Sequence, residues 1–182
     1  MTFAYLLRMP KLPIIKLPDP ILRETSSPVE TIDADVRTFM NDMLDTMYAA
    51  PGIGLAAVQV GVLRRMVVID LTRGQEEEKK PMLLINPEIL SKGDVPRLHE
   101  EGCLSIPEMY AEVERPALVR VRYLDIEGKQ REEDFPDLLA TVVQHEIDHL
   151  NGVLFIDHLS RLKRDVLVKK YHKLQREKAE QL

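Results

Sequence analysis

Two histidines that lie four residues apart, His145 and His149, are the residues of this chain best suited to chemistry. In an α-helix with 3.6 residues per turn, side chains at this spacing project from the same face, so two imidazoles can bind one metal ion. Glu146 follows the first histidine and is well placed to handle the proton of a metal-bound water. The run His145-Glu146-Ile147-Asp148-His149 therefore predicts a catalytic metal site on a helix and a metal-dependent hydrolase.

The alternative is that the two histidines are unconnected and that one of them is satisfied by ordinary hydrogen bonds. The surrounding residues argue against this alternative, because two unpaired imidazoles in an apolar wall would carry a desolvation cost. The apolar positions of the predicted helix, which runs from Pro136 to Leu150, are Leu138, Leu139, Val142, Val143, Ile147 and Leu150. Gln144 or Asp148 could orient a ligand histidine, although Asp148 could equally be a surface or capping residue.

A catalytic metal usually takes three protein ligands and leaves one position for water, so a third ligand is needed. Known hydrolases with this helical run take it from a histidine six residues further on or from a glutamate in a later helix. In this chain the residue six positions after His149 is Phe155, which cannot bind a metal. The nearest glutamate in a later predicted helix is Glu177, in a basic segment. Cys103 is the only cysteine of the chain. Alone it would more often be a buried thiol, but a thiolate is a strong ligand for zinc or iron(II), and Cys103 is the better candidate.

A glycine-rich segment, Gly52 to Gln59, formally matches the start of a dinucleotide-binding motif. That motif must follow a strand and open a helix, whereas here a helix precedes and a strand follows. The segment is better interpreted as a strand or loop that lines a substrate site. Gln59 could then donate its amide to an oxyanion.

The elements that must position these residues follow from hydrophobic periodicity. The order of helix, several strands and two helices predicts a single α+β domain over residues 1–182, with antiparallel sheets packed around a central helix that carries the histidines. Residues 1–14 are predicted to be an N-terminal extension, 100–107 a loop and 160–182 an amphipathic helix. The other predicted elements are a helix at 35–49 and strands at 65–70, 82–85, 111–114, 117–124 and 129–135, with a charged hairpin tip at 74–80.

Composition limits the classes of partner and compartment. The chain has 182 residues and a net charge of -5, which argues against a DNA-binding protein, and no apolar run approaches membrane-spanning length. A lone cysteine allows no intramolecular disulfide, so we expect a cytoplasmic protein. The last segment, Leu159 to Leu182, differs in having eight Lys/Arg and three Asp/Glu. This basic segment is either a solvated helix or a contact for an acidic partner such as RNA.

Three motifs together resemble those of the peptide deformylases. The family patterns G-x-G-x-A-A-x-Q, E-G-C-L-S and Q-H-E-x-D-H stand here as Gly52 to Gln59, Glu101 to Ser105 and Gln144 to His149. All three match without substitution and in the family's order, and the segment from Leu17 to Arg23 is also similar. The resemblance covers most of the chain from about Ile15 onward and is closest to the bacterial type.

The resemblance implies that the protein removes the formyl group from the formyl-methionine of newly made polypeptides and releases formate. It implies that Cys103, His145 and His149 bind the metal, with Glu146 as general base and acid. The implied native metal is iron(II), often replaced by zinc, nickel or cobalt.

The resemblance also assigns roles in substrate binding. Gln59 and the Leu104 N–H would stabilise the oxyanion. The backbone around Ile53, Gly54 and Gly102 would pair with the extended peptide. Independently of the resemblance, the charge of the basic C-terminal helix suits a contact with the ribosome.

Two other functions stay open from the residues alone. A zinc endopeptidase shares the helical run, although the missing downstream ligand argues against it. A non-catalytic ribosome-associated module would use the basic segment and would have a metal site closed by a fourth protein ligand.

Overall fold

The computed structural model describes residues 12–72 and 78–180 and contains three α-helices and two antiparallel β-sheets. The predicted extension at 1–14 therefore lies mostly outside the described residues, as do the greater part of the hairpin tip predicted at 74–80 and the last two residues. The helices are α1 (Ala34–Ala49), α2 (Asp137–Leu150) and α3 (Arg161–Glu180). The strands are β1 (Gly54–Ala56), β2 (Met66–Ile69), β3 (Met82–Lys92), β4 (Pro96–Cys103), β5 (Ile106–Pro116), β6 (Leu118–Leu124) and β7 (Gln130–Pro136).

The strands form a five-stranded sheet and a separate two-stranded sheet. The larger sheet has the order β1-β2-β3-β6-β7, the smaller one pairs β4 with β5, and all neighbouring strands are antiparallel. The predicted α+β class with antiparallel sheets and a C-terminal helix is confirmed. Strand β1 lies at one edge of the larger sheet, and within the described residues β4 pairs only with β5.

Strand β2 shows why the larger sheet needs a helix on each face. All four of its residues are buried, although successive side chains of a strand point to opposite faces. Val67 and Ile69 pack in one apolar cluster with residues of α2, whereas Met66 and Val68 pack in another with the methionines of α1. The continuous apolar run at 66–69 is therefore the pattern of a strand that is covered on both sides.

Helix α3 packs against the smaller sheet through only part of its apolar residues. Leu167 and Tyr171 are buried with residues of β5, and Leu174 packs against the same cluster. Two other apolar residues of the predicted amphipathic helix, Leu162 and Val166, are 75% and 60% exposed. The spacing i, i+4, i+7 from residue 167 marks the packed face, which includes Tyr171.

The second predicted strand is longer than expected. Asn86 and Pro87 were predicted to end it, but β3 continues to Lys92 through a bulge in which Asn86 has φ of 52°. The pairing register of β3 with β6 shifts between Ile85 and Glu88. Pro87, which has no backbone N–H, is tolerated in this bulge because the regular hydrogen bonding between the strands is interrupted there. The Asn86 amide also bonds both backbone groups of Val29, at 2.8 Å each. These two bonds attach the chain before α1 to the bulge.

The segment at 100–107 was predicted to be a loop and is instead a tight β-hairpin. Strand β4 runs to Cys103, Leu104 and Ser105 form the turn, and β5 begins at Ile106. The prediction failed because the sequence of β4, PRLHEEGC, is rich in residues that are rare in strands.

Within the described residues, no helix combines the length and apolar character that are needed to cross a membrane.

The turn after α2 predicts a stability experiment. Gly152 has φ of 71°, and a Cβ added there would overlap the carbonyl of Arg23. Gly152→Ala should therefore lower the free energy of unfolding by roughly 1–2 kcal/mol for the backbone conformation, and by about 1 kcal/mol or more for the overlap. Urea-induced unfolding of the metal-loaded protein measures the effect.

Gly128→Ala is the matched control. Gly128 also has positive φ, 80°, but its added Cβ would meet only Ile32 Cδ1 at 3.7 Å. Gly128→Ala should therefore lower the free energy of unfolding by the backbone contribution alone, without the contribution from steric overlap. Equal destabilisation by the two variants would contradict the contact between Gly152 and Arg23.

Candidate active site

Three side chains with metal-binding atoms meet between α2 and the hairpin of β4 and β5. His145 and His149 are buried on one face of α2, and Cys103 is the last residue of β4. One donor atom from each of the three residues lies within 4.8 Å of the other two. The Cys103 Sγ and the His149 Nε2 are 3.2 Å apart. The structure thus brings together the three residues that the sequence analysis predicted to be ligands.

Glu101 orients the first histidine. Its Oε2 lies 2.8 Å from the His145 Nδ1, and its side chain is 3% exposed. Because Nδ1 donates to this carboxylate, Nε2 is the ring nitrogen that keeps a lone pair for a metal.

Arg115 of β5 holds Glu101 in place. Its Nε and Nη2 donate to the two carboxylate oxygens of Glu101 at 2.5 Å and 3.0 Å, and its Nη1 donates to Asp148 on α2 at 2.8 Å. Burial alone would raise the pKa of Glu101, but the bonds from His145 and Arg115 lower it to about 2. The carboxylate therefore stays charged at every physiological pH.

The two residues predicted to orient a ligand histidine do something else. The Gln144 amide donates to the carbonyls of Pro116 and Ala140, at 3.1 Å and 2.9 Å. Asp148 accepts from Arg115 and also lies 2.7 Å from His158 Nε2. The role expected for Gln144 or Asp148 belongs to Glu101, for which no role was predicted. The sequence carried no signal for it, because residues 100–107 were predicted to be a loop and the contact with His145 spans 44 positions.

Glu146 is buried beside the metal-binding atoms. Its Oε2 finds no hydrogen-bond partner among the described residues. Burial raises the pKa of this carboxyl to about 7, although the charges of His145 and His149 oppose the rise. A carboxyl with a pKa near the working pH can both take and return a proton.

Gly54 makes room for that carboxylate. A Cβ added at residue 54 would overlap the Oε1 of Glu146, so any side chain there would push the carboxylate away. Similarly, a Cβ at Gly52 would lie 2.8 Å from Leu104 Cδ1. The glycines of the first motif thus permit close contact with the other two motifs.

Gln59 connects the first motif to the second. It lies in a short 3-10 helix after β1 and is 1% exposed. Its Oε1 accepts from the Ala56 N–H at 2.9 Å, which fixes the amide so that its Nε2 points towards the hairpin turn. That nitrogen lies 3.1 Å from Ser105 Oγ and 3.5 Å from Cys103 Sγ. An amide donor therefore stands next to the thiol.

The thiol and the first histidine polarise each other. Burial would raise the pKa of Cys103, but the charges and hydrogen bonds of His149 and His145 hold it well below its usual range. Burial would likewise lower the pKa of His145, but Cys103 and Glu101 raise it well above the ordinary value. These contacts therefore favour a thiolate, the form of cysteine that binds metals, and a metal ion at Nε2 of His145 would take the place of the proton that they favour there.

The three residues whose backbone was predicted to bind substrate lie in edge strands or directly beside one. The Ile53 carbonyl accepts from Asp70 N–H at 3.0 Å, and Gly54 pairs with Ile69, so one side of β1 is occupied by β2. Gly102 pairs with Tyr110 of β5. Because β1 and β4 are edge strands within the described residues, each keeps one side for a further strand.

Comparisons with known proteins agree with the motifs. A family model described as polypeptide deformylase matches residues 11–165. The chain belongs to the peptide deformylase family. A peptide deformylase of Mesorhizobium japonicum is 60% identical over 171 residues, which cover 94% of this chain and 97% of that protein. One of Agrobacterium fabrum is 60% identical over 166 residues, which cover 91% and 97%.

Solved deformylase structures share the fold. The enzyme from Legionella pneumophila is 47% identical and superposes with a TM-score of 0.84, covering 92% of this chain and 96% of that one. The enzyme from Synechococcus elongatus, solved in complex with actinonin, is 43% identical with a TM-score of 0.83, covering 90% and 89%. This deformylase is therefore a hydrolase that removes the N-terminal formyl group from formyl-methionine of new polypeptides and releases formate.

The contact between Glu101 and His145 predicts a change in metal affinity. Glu101→Gln should weaken metal binding about 10–100-fold, because the uncharged amide orients the histidine less strongly. Competition with a chelator of known affinity measures this. Asp148→Asn also removes a carboxylate from Arg115 but does not touch His145, so it should leave the affinity within about threefold of wild type. Unchanged affinity in Glu101→Gln would show that His145 needs no such support.

Proposed function

We propose that this deformylase works with one divalent metal ion held by Cys103, His145 and His149, and that Glu146 carries the proton of the reaction. One observation carries the proposal: the three donor atoms lie within 4.8 Å of one another, and the Glu146 carboxylate, whose Oε2 has no hydrogen-bond partner among the described residues, is buried beside them. Three ligands leave a position for water and substrate, as catalytic metal sites require. The helix α2, around which we propose that the two sheets pack, supplies two of the ligands and the proton carrier.

The residues fit a metal ion. The described part of the chain offers no hydrogen-bond partner to the buried Nδ1 of His149 or to Oε2 of Glu146. A thiolate with two imidazoles is a donor set for iron(II) or zinc. We propose Fe²⁺ as the native ion, with Zn²⁺, Ni²⁺ or Co²⁺ as substitutes. When bound, such an ion supplies Lewis acidity, which activates water and polarises the formyl carbonyl.

Glu146 has the position and the pKa for two proton transfers. As general base it accepts a proton from the attacking water, and as general acid it then protonates the leaving amine. Its pKa of about 7 suits both steps. Gly54 keeps the carboxylate close to the place where we expect the scissile amide.

Gln59 and Leu104 are proposed to stabilise the negative charge that develops on the formyl oxygen. The Gln59 Nε2 has two protons. One points to Ser105 Oγ, and the long 3.5 Å contact with Cys103 Sγ leaves the other available to an oxygen nearby. The Leu104 N–H lies in the adjacent turn. Such donors act strongly when they are fixed in place before the reaction, as Gln59 is by its bond to Ala56.

The peptide is proposed to bind as an added strand. Its backbone would pair with the free sides of β1 at Ile53 and Gly54 and of β4 at Gly102. Main-chain bonds of this kind give affinity without dependence on sequence. An enzyme that acts on many nascent chains needs that tolerance.

A pair of variants tests the assignment on protein purified without oxygen. Glu146→Gln should keep one metal ion per chain and lose at least about 100-fold in formate release, the lower end of the contribution of acid–base catalysis. Cys103→Ser should instead lose metal. Metal analysis together with formate release from formyl-methionyl peptides separates the two effects and also identifies the ion.

An activity of Glu146→Gln near that of wild type would rule out its role as proton carrier. Normal metal content in Cys103→Ser would remove the cysteine from the ligand set. An assay of internal peptide cleavage beside formate release tests the endopeptidase alternative, for which we expect no activity.

We further propose that the whole chain is one cytoplasmic domain whose helix α3 contacts the ribosome. Seven basic side chains on the helix are exposed in the structure, namely Arg161, Lys163, Lys169, Lys170, Lys173, Arg176 and Lys178. Such a surface suits RNA phosphates, and binding through it should weaken as salt rises.

Charge-neutralising variants test this contact without removing the helix. Lys163→Gln, Lys169→Gln and Lys170→Gln combined should reduce sedimentation with ribosomes and flatten its salt dependence by about three counterions. The matched control neutralises three exposed lysines elsewhere, Lys80, Lys92 and Lys129, and should bind as wild type does. Equal loss in both triple variants would indicate a nonspecific charge effect.

A further inference from the structure

A three-residue segment near the start of the described chain touches both of the segments that carry Gln59 and Ser105. The Ile15 N–H donates to the Gln59 carbonyl at 2.8 Å, and the Leu17 N–H donates to the Ser105 carbonyl at 2.9 Å. The side chains of Gln59 and Ser105 are themselves joined at 3.1 Å and are almost fully buried. Residues 15–17 therefore hold the backbones of Gln59 and Ser105, whose side chains are hydrogen-bonded to each other next to Cys103.

Tyr171 of helix α3 holds this segment from the other side. Its hydroxyl donates to the Leu17 carbonyl at 2.9 Å, although the two residues are 154 positions apart. Tyr171 is 1% exposed, and its ring packs with Ile106 and Met109 of β5 and against Leu17. A buried hydroxyl needs a partner, so the ring packing and this hydrogen bond together determine where Leu17 lies.

The contacts form one continuous path from helix α3 to the site. It runs from the Tyr171 hydroxyl through the Leu17 peptide unit to the Ser105 backbone, and from the Ser105 hydroxyl to the Gln59 amide. Cys103 packs against the same apolar cluster as Tyr171. Helix α3 is thus attached to the turn of the hairpin that carries the thiol.

We propose that Tyr171 is a positioning residue, which holds the Gln59 amide in register with the reacting carbonyl by fixing Leu17 and, through it, Ser105. The inference rests on the proposed oxyanion role of Gln59. The effect belongs to the chemical step, since a donor displaced by a few tenths of an ångström loses strength towards the transition state while the peptide still binds along β1 and β4.

Tyr171→Phe tests this, because it removes one hydroxyl and keeps the ring that packs the helix. In the metal-loaded, full-length protein, kcat for formate release should fall about 2–10-fold, the range expected for one hydrogen bond, with KM and metal content unchanged. Tyr123→Phe is the matched control, since Tyr123 is a buried tyrosine of β6 that lies near Glu133 and outside this path. It should lose comparable stability and keep its kcat.

A double-mutant cycle with Ser105→Ala shows whether the effect follows the proposed path. If it does, Tyr171→Phe should cost much less kcat in the Ser105→Ala background than in wild type. The positioning role would be overturned if the effects of Tyr171→Phe and Ser105→Ala on kcat were fully additive. It would also be overturned if Tyr123→Phe lowered kcat as much as Tyr171→Phe does. Thermal unfolding of each variant, with kinetics measured well below its midpoint, prevents loss of fold from being taken as loss of catalysis.

Gln59→Ala separates this inference from the function on which it rests. A large loss of kcat in Gln59→Ala with normal kcat in Tyr171→Phe would overturn the role of Tyr171 alone. An unchanged kcat in Gln59→Ala would overturn the oxyanion role of Gln59, and the positioning role would fall with it.

Discussion

The buried ion pair between Arg115 and Glu101 is the interaction on which the rest of the site depends. Removing both charges from water is costly, and the pair persists because every polar atom of the two groups that faces the interior finds a partner. The guanidinium joins β5 to β4 through Glu101 and to α2 through Asp148. Glu101 in turn fixes the ring of His145. One pair therefore sets the distance between the sheet that carries the cysteine and the helix that carries the histidines.

The architecture around this pair leaves strand edges where the peptide is proposed to bind. Exposed edges are a liability, because they invite pairing with other chains. The larger sheet limits that risk at β1, which has only three residues and lies beside the buried Glu146. Its other edge, β7, has the charged sequence QREEDFP, which disfavours pairing. The edge that remains usable is thus the one next to the proposed catalytic groups.

The features predictable from the sequence were those encoded by local spacing. The helical spacing of His145 and His149 can be recognised within a short stretch of sequence. The same is true of most of the strands, and hence of their order along the chain. The bulge at Asn86 and the place of Tyr171 in the packed face of α3 were missed because they are decided by contacts with residues far away in sequence. The role of Glu101 was missed for the same reason, since its partner His145 is 44 positions away. Strand β4 was missed because its polar composition resembles a loop, and pairing with β5 overrides that preference.

Helix α3 shows how one element can serve two requirements. Its overall composition is so polar that the helix would be unstable in isolation, and packing through Leu167, Tyr171 and Leu174 supplies the stability. Only this narrow face is committed to the fold, so the remaining positions are free to carry positive charge. The same face holds Leu17 and the hairpin turn. The proposed docking surface and the proposed oxyanion donors therefore belong to one packed unit, which the hydrogen bonds of Leu17 to Tyr171 and Ser105 join together.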